Sequence, residues 1–318
     1  MSAAEEKDAD PNGPDLESAV ELTADEETHI RDQMPHRAPV LFEIIRRNGQ
    51  EELERPLQSL WWSGMVAGLS IGFSVLTPAM LQRYLPQGGW SPIISMLGYS
   101  VGFVIVILSR QQLFTENVIT AVVPVMAKSH LRNLLLMLRL WAVVLIANVV
   151  GAALFAVFLR HSGAIEPELA KAIHEVCAHL ADSVPMETMP RAMVSGFLIA
   201  SLVWILAGIE GSGLAIIVLM TYLIALGGFD HVVAGTVEAA YLVLDGSMRF
   251  GDAVTRFFLP TLVGNVVGGT VVFTLLAYGQ IRGELKGAER EMPTPDDDSS
   301  KASPRTKAGA APARPRNR

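Results

Sequence analysis

The chain has 318 residues, half of them hydrophobic and only 18% charged, with a formal net charge of −7 and a mean hydropathy of +0.36. So apolar a composition excludes an ordinary water-soluble enzyme. The net charge averages over acidic tails and says little about partners, because basic residues near segment ends decide membrane orientation.

Residues 1–36, beginning "MSAAEEKDADPNGPDLESAVELTADEE", are acidic and contain proline, which predicts a disordered tail with no cleavable signal peptide. Residues 37–59 mix apolar and charged side chains at near-helical spacing. They predict an amphipathic helix lying in the membrane interface, with Trp61 and Trp62 at headgroup level.

Six apolar runs follow in a channel domain spanning 60–282: Leu60 to Leu81, Ile93 to Ala127, Leu134 to Leu159, Met193 to Gly208, Gly213 to Leu244, and Phe257 to Tyr278. Several are close to the roughly 20 residues that cross a hydrocarbon core, and the runs are apolar all round rather than striped, which argues against a soluble helical core. The second run is divided by "RQQLFTEN" and the fifth by "GGFDH". Arg46, Arg47 and Arg55, then Lys128 and Arg132, then Arg282 and Lys286 all fall on one side of six crossings. The positive-inside rule therefore puts both termini in the cytoplasm, against a smaller opposing set of Arg83, Lys171 and Arg191.

Between the third and fourth runs, "HEVCAH" groups His174, the single cysteine Cys177 and His179. The two histidines sit poorly for one helical face, so the expectation is an amphipathic loop helix and no metal. Residues 283–318 lack large apolar side chains and predict a second disordered tail.

The chain also resembles itself. "MVAGLSIGF" from Met65 matches "MVSGFLIAS" from Met193, and "ANVVGAALFAVFL" from Ala147 matches "GNVVGGTVVFTLL" from Gly264. Two matches in the same order point to a duplicated three-helix unit, and an odd-numbered unit must reverse direction when repeated. The expected fold class is thus an all-α integral membrane protein, an inverted 3+3 repeat whose substrate path runs between the halves at the broken second and fifth helices. Backbone that leaves the helix in a bilayer is tolerated only inside protein or along a wet cavity. The half-helices starting near Asn117 and Val232 would aim their N-termini at that cavity, which favours an anion. Gly68, Gly72, Gly151, Gly268 and Gly269 are read as close-packing positions between helices.

"LFTEN" in the second run, "GGFDHVVAG" in the fifth and "GNVVGG" in the sixth together resemble the formate/nitrite transporter family from about Leu57 to Arg282. The resemblance implies an aquaporin-like homopentamer in the bacterial inner membrane, one pore per subunit, passing small monovalent anions such as formate, nitrite, hydrosulfide or lactate. It assigns Thr115 to the family's loop threonine and His231 to its pore histidine, and implies constriction by Tyr99, Phe103, Leu113, Val203 and Ile224. The family's usual asparagines are absent at what are here Gly235 and a position near Ala200, and only Arg191 stands near the place of a family lysine.

On this reading a weak-acid anion meets Thr115 and His231, exchanges a proton with the imidazole, and crosses the apolar constrictions as a nearly neutral species. Asp230 is expected to cap the following half-helix or to orient His231. No cofactor is expected, and neither a Walker loop nor a Rossmann glycine pattern nor a nucleophile elbow suggests an enzyme. The competing readings are a channel for neutral small solutes and a non-transporting membrane scaffold or sensor.

Overall fold

A computed structural model describes residues 23–26, 36–86 and 88–291. These are helical, with no strand among them. The N-terminal tail expectation lies almost wholly outside the described residues, as does that for the C-terminal tail after Glu291. The last helix carries on through Glu291, into the stretch read as tail.

The first long helix among the described residues is α1, Ala38–Glu54. The chain continues as α2 (Leu57–Tyr84), α3 (Ser91–Leu108), α4 (Asn117–Ala127) and α5 (Leu131–His161). After α6, Pro167–Cys177, come α7 (Pro185–Leu206), α8 (Leu214–Leu226), α9 (Val232–Asp245) and α10 (Phe250–Gly283). Five of these, α2, α3, α5, α7 and α10, are long and apolar enough to cross a membrane; α3 with α4, and α8 with α9, form the two interrupted crossings. The fourth crossing starts earlier than its apolar run because Pro185 opens it, at the helix start where a missing N–H costs nothing.

Each half is built on one tight helix crossing, and glycine allows both. At the α2–α5 contact a Cβ on Gly68 would lie 2.2 Å from the carbonyl oxygen of Asn148, and one on Gly151 would lie 2.2 Å from that of Met65. At α7–α10 the same roles fall to Gly196, 2.3 Å from the oxygen of Asn265, and Gly268, 1.9 Å from that of Met193. These are the residues that the two matched stretches align, so the duplication extends from sequence to backbone contact. α10 differs in hand-off: it widens into π turns over Ala253–Phe258 and Val267–Thr274.

The first helix packs its apolar side against the bundle. Its apolar stripe of Phe42, Ile45, Gly49 and Leu53 is buried. A Cβ on Gly49 would collide with the carbonyl oxygen of Thr120 in α4. The stripe therefore faces protein rather than lipid, and Arg139 in α5 donates to the carbonyls of Leu53 (2.7 Å) and Arg55 (3.1 Å), holding the end of α1 down. On its exposed side Glu43 pairs with Arg46 and Arg47, and the Arg46 hydrogen bond holds the Glu43 carboxyl at about 2. At the other end of the bundle, α6 packs on α2 and α9 and buries Ala172, Ile173 and Cys177. Burial there pushes the Cys177 thiol well above the usual thiol range.

Candidate functional site

In hydrocarbon each unpaired backbone polar group costs several kcal/mol, so the two breaks stand or fall on who satisfies them. Two asparagines do most of it. Asn148 in α5 accepts from the N–H of Phe114 (2.9 Å) and donates to the carbonyls of Gln112 (2.9 Å) and Gly64 (2.7 Å). Asn265 in α10 accepts from the N–H of Val232 (2.9 Å) and donates to the carbonyls of Asp230 (3.0 Å) and Ala192 (2.8 Å). Each ties one break to the first helix of its own half. Neither was singled out in the sequence, although both stand in the matched "NVVG" stretches; an asparagine repeated within two apolar runs is the signal that could have found them.

The helices on the near side of the breaks end alike too. The N–H of Gln111 bonds the carbonyl of Val106 (3.0 Å) and that of Phe229 bonds Ile224 (3.0 Å), each closing over a left-handed residue. That residue is Gly228, φ 61°, at one break and Arg110, φ 52°, at the other.

At the centre, Thr115 Oγ1 lies 2.7 Å from His231 Nε2, both buried. Nδ1 of the same ring accepts from the N–H of Ala234 at 3.3 Å, so His231 is the N-cap of α9. The network assigns the tautomer: with Nδ1 accepting, the neutral imidazole carries its proton on Nε2 and donates it to Thr115 Oγ1. The threonine's own hydroxyl proton is then available to another acceptor. A second proton on the ring would occupy Nδ1 and replace the Ala234 bond. Thr115 makes no capping bond to α4, whose N-cap, Glu116, caps with no side chain either.

Asp230 takes neither role expected of it. The cap is His231, one residue later, because that ring is the group aimed at the free N–H of Ala234. The Asp230 carboxylate turns to Arg191, Nε to Oδ2 3.2 Å, and its backbone carbonyl accepts from Ser195 and Asn265.

Of the expected constriction residues, Phe103 stands edge-on to the His231 ring at 5.0 Å and Tyr99 lies tilted against Phe103 at 5.3 Å. Ile224 and Leu113 are fully buried in the same cluster. Leu113 occupies, in the first break, the position His231 holds in the second. Val203 is not with them; it packs with Phe42, Ile45, Ile119 and Ala200 in a separate cluster beneath α1.

A cavity of about 560 Å³ reaches His231 from the α6 end. Its wall includes Tyr99, Ile224, Phe257, Arg191, Asp230 and Glu238. Besides the helix ends, then, it offers both apolar surface and charge. His174 and His179 do not converge on a metal site: His174 pairs with Asp245 (2.8 Å), and His179 with the carbonyl of Val176 (2.9 Å).

A family model described as formate/nitrite transporter matches residues 39–279, which is every crossing. The chain belongs to the formate/nitrite transporter family. It is similar to "Inner membrane protein YfdC" of Escherichia coli (strain K12), 40% identical over 81% of this chain and 84% of that one. It is also similar to "Formate channel BtFdhC" of Bacillus thuringiensis, 25% identical over 74% of this chain and 91% of the relative. A solved "Pentameric formate channel with formate bound" superposes with a TM-score of 0.60 at 15% identity, over 71% of this chain and 97% of that one. An "FNT family ion channel" does so with a TM-score of 0.61 at 18% identity, over 76% and 98%. The aquaporin-like inverted repeat is thereby the fold, and the chain is a multi-pass membrane channel or transporter rather than an enzyme.

A Cβ on Gly235 would fall 2.0 Å from the Phe257 ring, so the space beside it is filled by an aromatic side chain from a π turn of α10. Ala200 is fully buried among apolar neighbours.

Proposed function

We propose that the chain conducts small monovalent weak-acid anions of the formate and nitrite kind, with proton exchange at His231. The observation that carries it is the 2.7 Å contact between Thr115 and His231 at the meeting of the two breaks, at the foot of the cavity. An anion arriving there finds the Thr115 hydroxyl proton, the Nε2–H and the N-terminal ends of α4 and α9, all donors. The slit of Tyr99, Phe103 and Ile224 resists a bare ion by several kcal/mol and a neutral acid far less, so protonation at His231 makes passage feasible. Leu113 lines the same slit; Val203 narrows the path on the α1 side. Asp230 serves by holding Arg191 beside the cavity.

By likeness to the pentameric formate channel, the working unit is a homopentamer with a pore in each subunit. By likeness to the inner membrane relative and by its basic clusters, the chain sits in the inner membrane with both termini cytoplasmic. A second reading, a path for neutral small solutes, draws on Phe257 filling the space beside Gly235.

Uptake into proteoliposomes separates the two. Labelled formate or nitrite entering with a proton, and lost on His231→Phe, supports the first; glycerol swelling without anion flux supports the second. Proton-linked flux that survives His231→Phe unchanged would refute the role given to the histidine.

A further inference from the structure

The cavity is bordered by three carboxylates. Asp230 has Arg191 at 3.2 Å, and Glu175 at the rim has Lys171 at 3.9 Å and a hydrogen bond from Gln82 at 3.1 Å. Glu238 is different. It is buried on α9 with its side chain 8% exposed, and its partner is His179, Nε2 to Oε2 3.5 Å, carried by the short Ala178–Leu180 turn after α6. The other titratable groups that share its cavity are Asp230, Glu175, Tyr99 and His231, with Cys177 buried nearby and Arg191 committed to Asp230.

The chemistry of this pair is set by the histidine's other nitrogen. Nδ1 donates to the carbonyl of Val176 at 2.9 Å, so the neutral ring turns a bare Nε2 toward the carboxylate. One added proton, on Nε2 or on the carboxyl, makes the pair neutral. Without that proton the cavity carries an uncompensated negative charge. Glu238 is two helical turns beyond His231 on the same helix, about 10 Å away, and its charge bears on the path to the donors.

We infer that Glu238 and His179 form a proton-operated charge filter: one bound proton opens the cavity to small anions, and its loss excludes them. This rests on the anion reading above, and adds to it which residues set admission as opposed to passage. The filter needs no motion; it acts by charge alone.

Equilibrium exchange of labelled formate, with the same pH on both faces of proteoliposomes, tests it without driving force or sidedness. Wild-type exchange should fall with rising pH more steeply than the loss of undissociated acid in empty vesicles. Glu238→Gln should exchange about tenfold faster than wild type at pH 8 and converge with it at pH 5.5. His179→Gln should move the rise to lower pH, and the double variant should behave as Glu238→Gln alone. A Glu238→Gln profile superimposable on wild type overturns the filter.

Histidine NMR of the full chain in nanodiscs gives a readout independent of flux. The His179 ring signals should respond to pH differently in wild type and in Glu238→Gln; identical responses also overturn the filter. A coupled pair in a protein that exchanges no formate would sink the anion reading instead.

Discussion

The two broken helices share a backbone and differ in nearly every side chain that touches the pore. Both end over a left-handed residue, both have a carbonyl and an N–H taken up by an asparagine, and both resume as a half-helix. Where one has Leu113 the other has His231; where one has Gln112, held by the Glu52 carboxylate at 2.9 Å, the other has Asp230, held by Arg191. Thr115 has Val233 as its counterpart. The duplicated part is thus the satisfaction of buried backbone, which a bilayer enforces on any break. The chemistry lies in the positions the halves do not share, and it becomes one site because Thr115 of the first break reaches His231 of the second.

If the crossings are equivalent, damaging either should cost the same. Gly151→Ala and Gly268→Ala each drive a methyl into a backbone oxygen, so each should destabilise the protein by about 3 kcal/mol. Thermal unfolding in detergent would show it; one variant melting like wild type would end the claim of equivalence.

The asparagines should differ slightly. Asn265→Ala loses four hydrogen bonds, including one to Ser195 Oγ at 2.9 Å, and Asn148→Ala loses three. Losses of about 2–3 kcal/mol are expected for Asn265 and somewhat less for Asn148. Chemical denaturation ranking Asn148 as the costlier site would reverse this account of the two breaks.

Chemistry, by contrast, should respond on one side only. Thr115→Val keeps shape but removes the acceptor of the His231 proton, and should slow anion exchange about tenfold, roughly 1.4 kcal/mol in barrier. Thr115→Ser should keep most of the flux, and a Ser variant as slow as Val would show that the hydroxyl is not what matters.

The smallest effect concerns the one backbone feature that the breaks realise with different residues. Arg110→Gly replaces a left-handed arginine with the residue its counterpart, Gly228, already uses, and should stabilise by up to ~1 kcal/mol. A lower unfolding midpoint would mean that the Arg110 side chain has a role of its own.

Much of this was legible in the sequence because it is written locally. Apolar runs of membrane-crossing length, their interruption at matching places, the two pairs of similar stretches, and Thr115 and His231 each within its own motif are all read from short stretches of neighbouring residues. What the sequence did not show are contacts between residues far apart along it. The Asn148 and Asn265 ties bridge 34 and 33 positions, and Thr115 meets His231 across 116. That His231 rather than Asp230 caps α9, that α1 turns its stripe inward, and that Val203 joins the cluster beneath α1 were decided only when the helices packed. Periodicity and composition report the solvent that each segment must meet. Which donor finds which acceptor depends on distances that only the folded chain defines.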